Sequence, residues 1–156
     1  MLKNAGEGER HAIILLDVDN FKGVNDNLGH AYGDRVLADI GNILWLTFNS
    51  SDCLGRIGGD EFCVLLNIPT NRQQDYMTLI HEKCRALCEA FHNNYTGCNG
   101  DYKISASIGV SVYPDDGNSF PELYRLADAA LYSSKHKGKD TFTIYSDIRE
   151  EDEENV

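Results

Sequence analysis

The chain has 156 residues, a length that suits one compact domain. Its apolar fraction of 42% supports a real core and argues against wholesale disorder, while no apolar run approaches the roughly 20 residues needed to cross a bilayer. A net charge of −11 opposes binding of a nucleic acid polymer, which draws on clustered Lys and Arg, but leaves a small nucleotide open, because two lysines and a metal ion suffice for one.

Residues 1–10 are polar, do not read as a signal peptide and are taken as a linker remnant. His11 to Asp17 is a near-continuous apolar run ending in carboxylates, which predicts a buried strand. Val36, Ile40, Ile43, Leu44 and Phe48 recur at helical spacing and predict a helix over Gly33 to Phe48. Asp52 to Arg56 and Glu61 to Leu66 flank Ile57-Gly58-Gly59-Asp60, and a Gly-Gly pair between two apolar runs predicts a hairpin. Tyr76, Ile80, Cys84, Leu87, Cys88 and Phe91 mark a second long helix, followed by a polar loop over His92 to Asp101.

From Ile104 to Val112, apolar residues alternate with Ser105, Ser107, Gly109 and Ser111, the cleanest period of two in the chain. Ser119-Phe120-Pro121-Glu122 is a capping box that opens a helix through Leu123, Leu126, Ala127, Ala130 and Leu131, ending near Gly138. Thr141 to Tyr145 alternates again as a last strand. Glu150 to Glu154 carries five negative charges and reads as solvated chain, so residues 11–147 form the domain and residues 148–156 an acidic tail or linker. The five cysteines have no metal-type spacing: Cys84 and Cys88 fall on an apolar helix face, Cys53 and Cys63 inside strands. A reducing, cytoplasmic setting fits them best. The element order predicts an α+β sandwich with helices packed on a mostly antiparallel sheet, the ferredoxin-like or polymerase-palm layout.

Two carboxylates close the first strand in Asp17-Val18-Asp19-Asn20-Phe21-Lys22, where charge is costly unless paired or bound to metal. A solvated strand-end turn would explain them equally well in isolation. Asp60 and Glu61 follow the Gly-Gly turn; if the first strand lies beside the hairpin, Asp17 and Asp60 meet at one edge of the sheet. Paired carboxylates that hold magnesium against phosphate oxygens are a common arrangement for phosphoryl transfer. Gly58 and Gly59 remove side chains where a nucleotide would approach the backbone.

Arg56 to Phe62 contains Gly-Gly-Asp-Glu-Phe, and the chain resembles the GGDEF family of diguanylate cyclases. Asp17 to Lys22, Asn25-Asp26-Asn27-Leu28-Gly29-His30, Gly33-Asp34, Ser107 to Ser111, Ala127-Asp128, Ala130-Leu131-Tyr132, Lys135 and Gly138-Lys139 continue the family pattern in order, from about Ile13 to Tyr145. The resemblance implies a homodimer of half-sites that joins two GTP molecules into cyclic di-GMP. It implies that Asp17, the Val18 carbonyl and Asp60 hold magnesium, with manganese as the alternative ion. Glu61 would assist deprotonation of the attacking hydroxyl or ligate a metal. The N–H groups of Asn20, Phe21 and Lys22 would cradle the β- and γ-phosphates, which Lys135 and Lys139 would neutralise. Asn25 and Asp34 would read guanine, whose paired N–H donors suit a carboxylate.

Solvated helix ends remain the bland reading for the lysines, and a helix-start carboxylate the bland reading for Asp34. His30 is read as structural. Two departures stand out: the family's inhibitory Arg-x-x-Asp is Asn49-Ser50-Ser51-Asp52 here, and Gly138-Lys139-Asp140 replaces Gly-Arg-Asn. The implied partners are GTP, a second copy of the chain and an upstream sensor domain, in a parent protein that could be anchored to a membrane although this segment does not insert. The competing readings are a non-catalytic GTP- or cyclic-di-GMP-binding regulatory module, and a polymerase-like palm that shares only the two-metal chemistry.

Overall fold

The computed structural model describes residues 8–95 and 104–154. In chain order the elements are β1 (His11–Val18), α1 (Phe21–Leu28), α2 (His30–Thr47), β2 (Cys53–Arg56), β3 (Glu61–Asn67), a short 3-10 turn (Thr70–Arg72), α3 (Tyr76–Tyr95), β4 (Ala106–Tyr113), α4 (Phe120–His136), β5 (Phe142–Ile144) and α5 (Tyr145–Glu154). The five strands form one sheet in the order β2-β3-β1-β4-β5. Every pairing is antiparallel except β4 with β5. This is the expected α+β sandwich.

The apolar run of β1 is continuous because both of its faces are covered. Ala12, Ile14, Leu16 and Val18 join a core with α1, α2 and α3, including Val36, Ile40, Ile80, Cys84, Leu87 and Phe91. Ile13 and Leu15 point to the other face, against Leu123, Ala127 and Leu131 of α4. A strand buried on both sides cannot show a wet-dry alternation.

The alternation in β4 has a different meaning from the usual one. Its residues from Ala106 to Val112 are all buried, so the pattern separates small from large rather than wet from dry. A Cβ at Gly109 would stand 2.2 Å from the Ala127 carbonyl oxygen and 2.2 Å from the Leu131 nitrogen, so α4 rests directly on the strand backbone. The buried hydroxyls find partners there: Ser111 donates to the Leu123 carbonyl at 2.7 Å, and Ser134 of α4 donates to the Ile108 carbonyl at 2.7 Å. Half of the expected capping box forms: the Ser119 hydroxyl accepts from Glu122 N–H, whereas the Glu122 carboxylate accepts from Asn118 N–H at 3.0 Å rather than from Ser119 N–H.

Four expectations are corrected. Helix α1 was not anticipated, because its eight residues bury only Val24 and show no sustained stripe. Helix α2 begins at His30, three residues before the predicted start. The predicted loop after α3 begins too early, since His92 to Tyr95 are helical and Phe91 and Tyr95 are buried; residues 96–101 lie outside the described residues. The last strand is only Phe142–Ile144, and the chain then continues as helix α5, which meets α4, β4 and β5 and carries Glu150, Glu151 and Asp152 exposed. Among the described residues no helix is long and apolar enough to cross a membrane.

Candidate active site

The site forms where β1 ends and β3 begins. Antiparallel pairing sets Asp17 opposite Glu61, and the Val18 N–H donates to the Asp60 carbonyl at 3.1 Å. The carboxylates thus meet at the end of two adjacent interior strands rather than on a lateral edge of the sheet. Burial, the charge of the neighbouring Asp17 and a hydrogen bond shared with it, in this order, raise the Asp60 pKa above the usual carboxylate value. Two neighbouring carboxylates at the ends of adjacent strands offer a seat for a cation.

Lys135 supplies part of that charge. Its ammonium donates to Asp17 Oδ2, and α4 brings it there by resting on β4. Burial opposes its charge, yet the hydrogen bond and charge of Asp17, with Glu61 and Asp60 behind, raise its pKa overall. The family resemblance assigned Lys135 to phosphate; in this state it is the counter-ion of Asp17.

The hairpin turn is held by Arg56, whose guanidinium donates to the Gly58 carbonyl at 3.1 Å and to the Gly59 carbonyl at 2.8 Å. Ile57 N–H closes onto the Glu61 carbonyl at 2.9 Å. Neither Gly58 nor Gly59 has a positive φ, so turn geometry does not demand them. A Cβ at Gly59 would meet nothing within 4 Å, and one at Gly58 would meet only the flexible end of Glu61. The glycines leave the surface beside Asp60 bare.

Next to the carboxylates, Asn20 takes a left-handed conformation (φ 55°) and turns the chain into α1. Val24 N–H returns to the Asn20 carbonyl at 3.2 Å, so helix geometry leaves the N–H groups of Phe21, Lys22 and Gly23 pointing out of the first turn. Phe21 packs against the main core and anchors this turn, whereas Asn20 and Lys22 are exposed. The Asn25 side chain lies directly against Gly33 of α2, where a Cβ would stand 1.9 Å from Asn25 Oδ1, and Asp34 is the next residue along that helix. Asp34 is the fifth residue of α2, too far along to act as a helix-start carboxylate, and it is exposed with no side-chain partner among the described residues. Lys139 is exposed in the turn after α4.

No cluster of three His, Cys, Asp or Glu side chains forms among the described residues. Two neighbouring carboxylates are hard oxygen donors, the kind that suits magnesium, which keeps water and substrate oxygens in its shell.

The family model described as diguanylate cyclase, GGDEF domain, matches residues 1–141. The chain belongs to the GGDEF family. It is 36% identical over 139 residues to the probable diguanylate cyclase DgcT of Escherichia coli, covering 86% of this chain and 29% of that protein. It is 32% identical over 139 residues to the bifunctional diguanylate cyclase/cyclic di-GMP phosphodiesterase MucR of Pseudomonas aeruginosa, covering 89% of this chain and 19% of that protein. The chain therefore spans less than a third of these relatives. Among solved structures, an EAL/GGDEF domain protein from M. capsulatus superposes with a TM-score of 0.74 at 32% identity, over 92% of this chain and 90% of that one.

Sequence reasoning missed one residue at the centre of this GGDEF domain. Asp19 is buried and accepts from Ser105 Oγ at 2.7 Å, Ser107 Oγ at 2.6 Å and Asp140 N–H at 3.0 Å. Its clue was the pair of serines in and just before β4, which the period-two pattern absorbed as strand residues. Asp52, the remnant of the inhibitory motif, is also structural: its oxygens accept from Asn49 N–H and Asn67 N–H, each at 2.8 Å.

Proposed function

We propose that this GGDEF domain condenses two GTP molecules into cyclic di-GMP and two pyrophosphates, as a homodimer of half-sites. The observation that supports this reading best is the crowding of Asp17 and Asp60, with Lys135 on Asp17 and a bare glycine surface beside them. In each of two steps a 3′-hydroxyl oxygen bonds to the facing α-phosphorus while the bond from that phosphorus to the bridging oxygen breaks. The hydroxyl proton leaves to a base, and pyrophosphate departs with the electron pair.

Magnesium held by Asp17, Asp60 and the Val18 carbonyl would neutralise phosphate charge, with manganese as an alternative ion. Glu61, opposite Asp17 in the β1–β3 register, stands ready to take the hydroxyl proton or to complete the metal shell. The N–H groups that open α1, at Asn20, Phe21 and Lys22, offer donors to the β- and γ-phosphates. Lys135 would turn from Asp17 to phosphate oxygens where Asp17 serves a bound cation, and Lys139 would add a second positive charge. Asn25, seated against Gly33, and Asp34, the residue after that glycine, would take the guanine edge. Each copy holds one GTP, so reaction needs two copies face to face. The domain would draw GTP from the cytoplasm and answer to a sensor elsewhere in a longer protein.

The test is incubation of purified protein with GTP and magnesium, with mass detection of cyclic di-GMP. Tight GTP binding with no product from a concentrated sample would favour a regulatory module instead. Retention of Asp17, Asp60 and Glu61 favours catalysis over that module.

A further inference from the structure

Four segments meet behind the turn that carries Lys139. His92 sits in the last turn of α3, and its Nε2 lies 2.8 Å from both carboxylate oxygens of Asp140. A carboxylate only accepts, so Nε2 carries the proton and donates. The Asp140 main-chain N–H in turn donates to the buried Asp19, which Ser105 and Ser107 fix to β4. Lys139 and Asp140 both hold left-handed backbone, at φ 65° and 52°, directly after Gly138 at φ 108°. Non-glycine residues adopt that conformation at a cost and keep it where the surroundings over-determine it. Cys88, one turn before His92, faces the same corner. Burial and the charges of Asp140 and Asp19 push its thiol up to about 11, so it adds no charge there at neutral pH.

We propose that the His92–Asp140 pair is a positioning device for Lys139: it clamps the left-handed turn so that the ammonium is presented to the triphosphate of GTP. The inference rests on the reading of Lys139 as a phosphate-binding residue. His92 and Asp140 act through Lys139 and touch no substrate atom. The physical reason for such a clamp is that a lysine on an exposed turn otherwise samples many backbone and rotamer states. Holding the turn beforehand removes part of the ordering cost of binding.

Calorimetric titration with guanosine 5′-[α,β-methylene]triphosphate and magnesium tests this, because that ligand cannot release pyrophosphate; GMP, which lacks the β- and γ-phosphates, is the control. Lys139→Ala should weaken the triphosphate about tenfold, through the missing charge-assisted hydrogen bond. His92→Ala and Asp140→Gly should each weaken it about three- to fivefold and leave GMP unchanged. His92→Gln, whose amide can still donate to Asp140, should restore most of the loss. Asp140→Gly adopts the left-handed backbone freely, so its effect cannot be strain. In a Lys139→Ala background neither His92→Ala nor Asp140→Gly should weaken binding further. Equal losses for triphosphate and GMP, or an additive loss in the Lys139→Ala background, would show a purely structural pair and overturn the inference. A folded wild-type protein that binds no triphosphate would instead overturn the reading of the whole site.

Discussion

Asp17 and Asp19 are two residues apart at the end of the same strand, both are buried, and their surroundings are opposite. Asp19 accepts three hydrogen bonds from two serines and a main-chain N–H, and it ties β1 to β4 and to the turn before β5. Asp17 is crowded by Asp60 and answered by one lysine. A buried carboxylate with its lone pairs occupied contributes to the fold. A buried carboxylate pressed against another carboxylate holds back stability until a cation arrives, which is the arrangement expected of a site rather than of a scaffold.

That contrast can be broken most directly at Asp60. Asp60→Ala should reduce cyclic di-GMP synthesis by about 10³-fold or more, the scale for removing a key electrostatic group, while thermal unfolding stays as cooperative as in the parent. Substantial activity in the folded variant would remove Asp60 from the metal site.

Asp19→Ala should show the reverse. It strands two hydroxyls and an N–H, so chemical denaturation should report a loss of about 2–5 kcal/mol. A variant that is inactive yet as stable as the parent would mean that Asp19 belongs to the chemistry after all.

Asp34 is a third kind of carboxylate, exposed and without a side-chain partner among the described residues, so its removal should cost the fold little. Asp34→Ala should instead weaken GTP relative to ATP by roughly 1–3 kcal/mol, the worth of a charged hydrogen bond that guanine makes and adenine does not. Equal weakening of both nucleotides in calorimetry would argue against guanine reading.

The smallest effect is electrostatic. The Asp60 pKa is raised in the folded state, so the folded chain binds more protons than the unfolded chain as pH climbs past the ordinary aspartate value of 3.8. Its contribution to stability therefore falls as pH rises through that window, and at neutral pH the ionised pair carries a standing cost. Asp60→Asn should raise the unfolding temperature at pH 7 by a few degrees at most and leave it unchanged near pH 3. Magnesium should raise it for the parent and not for the variant. An unfolding temperature lowered at pH 7 would mean that Asp60 is held by favourable interactions.

Much of this architecture was legible in the chain. The double-sided burial of β1, the hairpin between two apolar runs and the Ser119 cap are local patterns, and each follows from the run of side chains or from a cap. Helix α1 and the helical tail were not, because α1 is short and turns on a left-handed asparagine, while α5 is so acidic that its packing on α4 and β4 outweighs its composition.

Residue types and their order by themselves marked Asp17, Asp60 and Glu61 as worth placing together, since carboxylates beside apolar strands are costly without a purpose, and the family resemblance added Lys135 and Lys139. Only the tertiary structure separated the two carboxylates of the first strand by their surroundings. Asp17 and Asp19 are indistinguishable in sequence, and what separates them is whether the far strand brings serine hydroxyls or another charge. Lys135 likewise reads as a helix-end cation until α4 settles on Gly109, a strand position with no side chain to hold the helix away, and sets the ammonium on Asp17. Hydrogen-bond satisfaction and charge crowding are set by partners 43 to 121 residues away in the chain, and local pattern carries no record of them.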